Sequence, residues 1–140
     1  MKLSKKLKAY LTSELRTTAE MMEKQADPRD KVYYLSAAYG AAHRTFNIEY
    51  SSELVLLWLV LKSVHGMVAT RLESLKTGAQ LPLQIPKEVF EHLPRLLVAL
   101  ADRIDANDNY VELLERISAV AYTCEGNGYY LHSTNRLQYE

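Results

Sequence analysis

The chain has 140 residues, 48% hydrophobic and 24% charged, and its 17 Lys and Arg balance 17 Asp and Glu. This composition excludes a disordered polymer, and the length lets the chain bury a core without metal or disulfide staples. One cysteine, Cys124, excludes a disulfide-built scaffold, and five Gly with four Pro argue against a turn-rich all-β fold.

The N-terminal stretch carries Lys2, Lys5, Lys6 and Lys8 but no apolar h-region of a secretory signal. Leu3, Leu7, Leu11, Leu15, Ala19 and Met22 recur at spacings of three and four, which predicts an amphipathic helix capped by Ser4. That helix is expected to stop near Ala26. Asp27-Pro28 then opens a second one, since aspartate caps and proline suits the first helical position. The second helix is expected to run to about Phe46 with Val32, Leu35, Tyr39, Ala42 and Phe46 on one face. Ser51 or Ser52 caps a third, over residues 52–76, whose stripe is Leu54, Leu57, Leu61, Val64, Val68, Leu72 and Leu75.

Val55, Leu56, Trp58, Leu59 and Val60 make the first half of this third helix apolar on every side. A helix of that kind is central, either within its own fold or against another subunit. Its most apolar run, Leu54 to Leu61, is eight residues long and is followed by Lys62. About 20 residues are needed to span a bilayer, so a transmembrane segment is not expected.

Residues 76–85 break the helical spacing with Gly78 and Pro82, and are expected to run extended with Leu81, Leu83 and Ile85 turned inward. Pro86 opens a fourth helix that Pro94 is expected to kink or restart, with Leu97, Leu100, Ala101 and Ile104 on its face. Asp108 or Asn109 caps a fifth carrying Val111, Leu114, Ile117 and Cys124, and Gly126-Asn127-Gly128 ends it. The fold expected is all-α: one domain over residues 1–140, an antiparallel bundle of about five helices, with room for a short sixth at the C-terminus. Gly40 and Gly66 lie inside the second and third helices, where glycine is unfavourable, which predicts that these helices cross closely there.

Catalytic and metal motifs are sparse. His43-Arg44 ends the second helix and His65 lies within the apolar third, the three forming a weak pocket candidate. No Glu-x-x-His occurs for a di-iron bundle. Asp105 to Asn109 begins like a calcium loop, but Tyr110 and Arg116 stand where Gly and Glu are required. No phosphate loop, nucleophile elbow or Cys-x-x-Cys is present. No cofactor and no metal ion are therefore expected, and an enzyme built on His43, Arg44 and His65 ranks as the third reading.

The zero net charge divides unevenly. Residues 1–80 hold 12 basic and 8 acidic groups, and residues 81–140 hold 5 and 9, so the halves are +4 and −4. Lys2, Lys5, Lys6 and Lys8 are the candidate nucleic-acid contacts, a second reading. The same basic helix could instead lie against the acidic last helices, in its own chain or in a partner. The first reading is a non-enzymatic, cytoplasmic assembly module that forms a homo-oligomer, a dimer by preference. Its contact residues are Trp58, Leu56, Leu59, Tyr33 and Tyr34, because ten tyrosines against two phenylalanines favour half-buried interfaces.

Overall fold

The computed structural model describes residues 3–76 and 87–122, which form five α-helices and, among themselves, no strand. Lys2, the extended stretch before Pro86, Cys124, the Gly126–Gly128 cap and any sixth helix lie outside the described residues. Helix α1, Lys5–Lys24, begins where Ser4 Oγ accepts the Leu7 N–H at 3.3 Å. Helix α2, Pro28–Ile48, begins where the Asp27 carboxylate accepts the Arg29 N–H at 2.9 Å. It runs two residues past Phe46. The Glu49 N–H bonds to the Thr45 carbonyl, and the Glu49 carboxylate in turn accepts the Ser4 N–H, so the end of α2 is tied to the start of α1.

Helix α3, Ser52–Lys76, starts with the Ser51 carbonyl accepting the Leu54 and Val55 N–H groups. Helix α4, Lys87–Asp105, runs unbroken through the buried Pro94, so the proline does not restart it. Its end is a Schellman turn. The Asp108 N–H reaches the Arg103 carbonyl and the Asn107 N–H reaches Ile104, with Asn107 left-handed at φ 56°. The Asn109 side chain then accepts the Val111 N–H at 2.8 Å and opens α5, Val111–Tyr122.

The apolar seams read from the spacing converge on one core. Leu11, Leu15, Met22, Leu35, Leu57, Leu61, Leu97, Leu100 and Ile117 are fully buried. Around this core the helices close a ring. Helix α1 lies between α2 and α4, and α3 and α5 close the far side against each other. Cross-links fix the directions. Tyr10 pairs with Arg44 while the Lys31 ammonium reaches the Met22 carbonyl, so α1 and α2 are antiparallel. Lys8 reaches Asn107 and Arg16 reaches Asp102, so α1 and α4 are antiparallel too. Helices α3 and α5 begin near one another, with Glu53 close enough to Tyr110 for its charge to act on the phenol.

The expected glycine crossing needs correction. Helices α2 and α3 do meet beside these positions, with the Tyr39 and His65 rings 5.4 Å apart. A Cβ added to Gly66, however, meets nothing within 4 Å, and one added to Gly40 meets only the Arg44 side chain, at 3.5 Å. On α2 it is the buried Ala38, Ala41 and Ala42 that turn to the core, and Gly66 faces outward. Gly66→Ala is therefore expected to raise stability by about 0.5–1 kcal/mol, the helical cost of glycine. Gly66→Leu is expected to melt no lower than the wild type, and a large drop in thermal melts would restore the close crossing.

Candidate functional site

Helix α3 has two faces of different fate. Leu54, Leu57, Leu61, Val64 and Val68 are buried in the core, while Ser52, Glu53, Leu56, Leu59, Lys62, Ser63, Gly66 and Thr70 are exposed. Leu56 and Leu59, three residues apart on one side of the helix, are 39% and 48% exposed. Ile48 at the end of α2 is 70% exposed and Tyr50 in the turn after it 78%, so the end of α2, the turn and the first half of α3 carry four exposed apolar side chains. Ile48 and Tyr50 fall between the second and third helices expected from the sequence, where no periodic pattern marks them. By length and composition, Ser52–Thr70 is also a helix that could cross a membrane, although it carries Glu53 and Lys62 and its inner seam packs in the core.

Trp58 stands on the α2 flank of this face and is half-buried. Its ring meets Phe46 at 5.8 Å and His43 at 5.6 Å, and His43 meets Phe46 at 5.1 Å, a mutual three-ring cluster. The Lys62 ammonium lies 4.9 Å from the Trp58 ring centroid, a cation–π contact that holds this lysine over the cluster. Tyr33 and Tyr34 are elsewhere. They belong to the first half of α2, which the antiparallel register sets beside the C-terminal half of α3. Tyr34 packs on the core and Tyr33 is exposed. The five expected contact residues thus separate into Leu56, Trp58 and Leu59 on one end and the two tyrosines on the other.

The basic helix is partly neutralised within its own chain. The Arg16 guanidinium donates to Asp102 at 3.0 Å and to Asp105 at 2.6 Å, and the Lys8 ammonium donates to the Asn107 side chain at 2.8 Å. Both contacts dock α1 on α4 and its turn, the intrachain pairing of the opposite-charge halves. Lys5 and Lys6 are exposed.

His43, Arg44 and His65 do not converge. Consecutive residues on a helix point about 100° apart, and these two diverge accordingly. His43 turns to Trp58, with Asn47 Nδ2 3.3 Å from its Nδ1, while Arg44 turns to α1 and donates to the Tyr10 hydroxyl at 2.6 Å. His65 lies seven residues beyond Trp58 on α3, beside Tyr39, and burial pushes its imidazole below the ordinary histidine range. Near it α2 and α3 part to leave a hollow of about 230 Å³, lined by Arg29, Val32, Tyr33, His65, Ala69 and Leu72. Neither His43 nor Arg44 reaches this hollow. Among the described residues no group of three His, Cys, Asp or Glu side chains could hold a metal ion.

No protein-family model matches the chain, and no curated protein or solved structure matches it either.

Proposed function

We propose that the chain is a helical assembly module that associates with itself, as a cytoplasmic dimer, through the outward face of α3. The observation that carries this reading is the exposed set Ile48, Tyr50, Leu56 and Leu59 on and beside a helix whose opposite face is core. Several exposed apolar side chains close together in the chain, with the charged Glu53 and Lys62 among them, are what a contact surface requires. A two-fold axis on this face sets the patch of one copy on the same patch of the other, which is how most small homodimers close. Trp58 borders the contact and supports it from the α2 side.

A nucleic-acid role has less behind it. Of the three described lysines in the cluster, Lys8 already bonds Asn107, and Arg16 is held by two aspartates. Two exposed lysines release few counterions and give weak binding at physiological salt.

Light scattering across a concentration series tests the assembly reading. The mass is expected to rise from 16.0 kDa towards twice that value. The double variant Leu56→Asp/Leu59→Asp is expected to stay monomeric with unchanged helical circular dichroism, because both side chains are outside the core. A wild-type chain that remains monomeric at millimolar concentration overturns the reading. Partition of the wild type, but not the double variant, into lipid vesicles would reassign the face to a bilayer.

A further inference from the structure

The hollow between α2 and α3 lies away from the proposed contact face, and its chemistry is distinct. Val32 forms its buried floor, and the half-buried Ala69 and Leu72 line it from α3. Three residues with polar side chains share the lining with this apolar floor: Arg29, Tyr33 and His65. We propose that this hollow binds a small monocarboxylate with a short apolar tail, the carboxylate meeting Arg29 and the tail lying on Val32, Ala69 and Leu72.

Three observations narrow the ligand to this class. The first is charge. Arg29 approaches Asp27 only at 3.6 Å through Nε, beyond good hydrogen-bond range, and a planar carboxylate matches the fork of a guanidinium. A single guanidinium matches a single carboxylate, and nothing else in the lining supplies the second cation that a multiply charged anion would need. The second is size. At about 230 Å³ the hollow is smaller than the roughly 300–1,000 Å³ of pockets that take drug-sized ligands, so only a short tail fits. The third is the state of His65. Burial favours the neutral imidazole, which keeps one N–H to donate and adds no second cation. Tyr33, 71% exposed, adds a phenol to the lining residues.

Amide chemical-shift titration of the full chain with hexanoate, hexanol, hexylammonium and inorganic phosphate tests the proposal. Hexanoate is expected to give saturable shifts confined to residues near 29–33 and 65–72, with hexanol weaker by about tenfold, the worth of one charge-assisted contact. Hexylammonium and phosphate are expected to give none there. Arg29→Gln, at an exposed position, is expected to bring hexanoate down to the level of hexanol without changing the melting temperature. Ala69→Leu, which fills the hollow, is expected to weaken both. Equal binding of hexanol and hexanoate overturns the proposal, as do saturation by phosphate and shifts that do not saturate or that fall elsewhere. The Leu56→Asp/Leu59→Asp variant is expected to bind hexanoate as the wild type does, so failure of the assembly reading and failure of this one are told apart.

Discussion

Leu61→Ala is expected to lower the unfolding free energy by about 2–5 kcal/mol, whereas Leu59→Ala, two positions away, is expected to change it by less than about 1. Both leucines sit in the same unbroken apolar run, where the helical spacing puts Leu61 on the inward stripe and Leu59 off it. The structure separates them. Leu61 is fully buried among core side chains of a ring that closes on every side, so truncation leaves a cavity whose walls cannot collapse inward. Leu59 is half exposed on the outer face and loses little packing. Urea denaturation at a concentration where the chain is monomeric reads both values. Equal losses at the two positions would mean that the outer face is covered within the monomer.

The second large effect is expected at Tyr110. Its side chain is 2% exposed and is the bulkiest of those fully enclosed, at the start of α5 where that helix leans on the N-terminal turn of α3. Burial and the nearby charge of Glu53 both push its phenol well above the ordinary tyrosine range, so it stays protonated throughout the working range of pH. Tyr110→Ala is expected to cost about 3–5 kcal/mol, as for other buried aromatics, and to loosen α5. Tyr110→Phe keeps the ring and is expected to cost about 1 kcal/mol, the net worth of a hydroxyl contact. Thermal melts of the two variants check this order. A Tyr110→Ala variant within 1 kcal/mol of wild type would remove the α3–α5 contact from the structure's stabilising set.

The contrast between these two positions shows which parts of the fold were legible. The spacing of Leu54, Leu57, Leu61, Val64 and Val68 marks a seam, because a 3.6-residue period needs nothing beyond the local chain. Ser4 and Asp27-Pro28 are as plain, since capping is settled within one helical turn. In the sequence Tyr110 shows only as the residue that breaks a calcium-loop pattern, just before the fifth helix. Its burial depends on α3 lying alongside, and no local pattern carries the identity of a neighbour. The glycines failed for a related reason. Gly66 costs helix propensity wherever it lies, and only the packed structure tells whether another backbone comes close. His65 stood out in its apolar helix, but its partners Arg29 and Tyr33 are over thirty residues away and are brought to it by the antiparallel return of α3. The pairing of basic α1 with acidic α4 was one of several readings of the charge division, and Arg16 with Asp102 and Asp105 now supports it within one chain.

The closed order of helices also sets when each part of the molecule can assemble. Neighbours α1 and α2, like α2 and α3, are joined by turns of a few residues, so these hairpins close short loops at small entropic cost and can form while the chain is still growing. The other flank of α1 must wait. Its partner α4 is reached through contacts spanning 86 to 99 residues, so Leu11 and Leu15 are fully enclosed only after most of the chain has been made. The first helix synthesised is thus among the last to be completely covered. Docking of α4 and α5 against α1–α3 is therefore expected to be the step that completes the cover of α1.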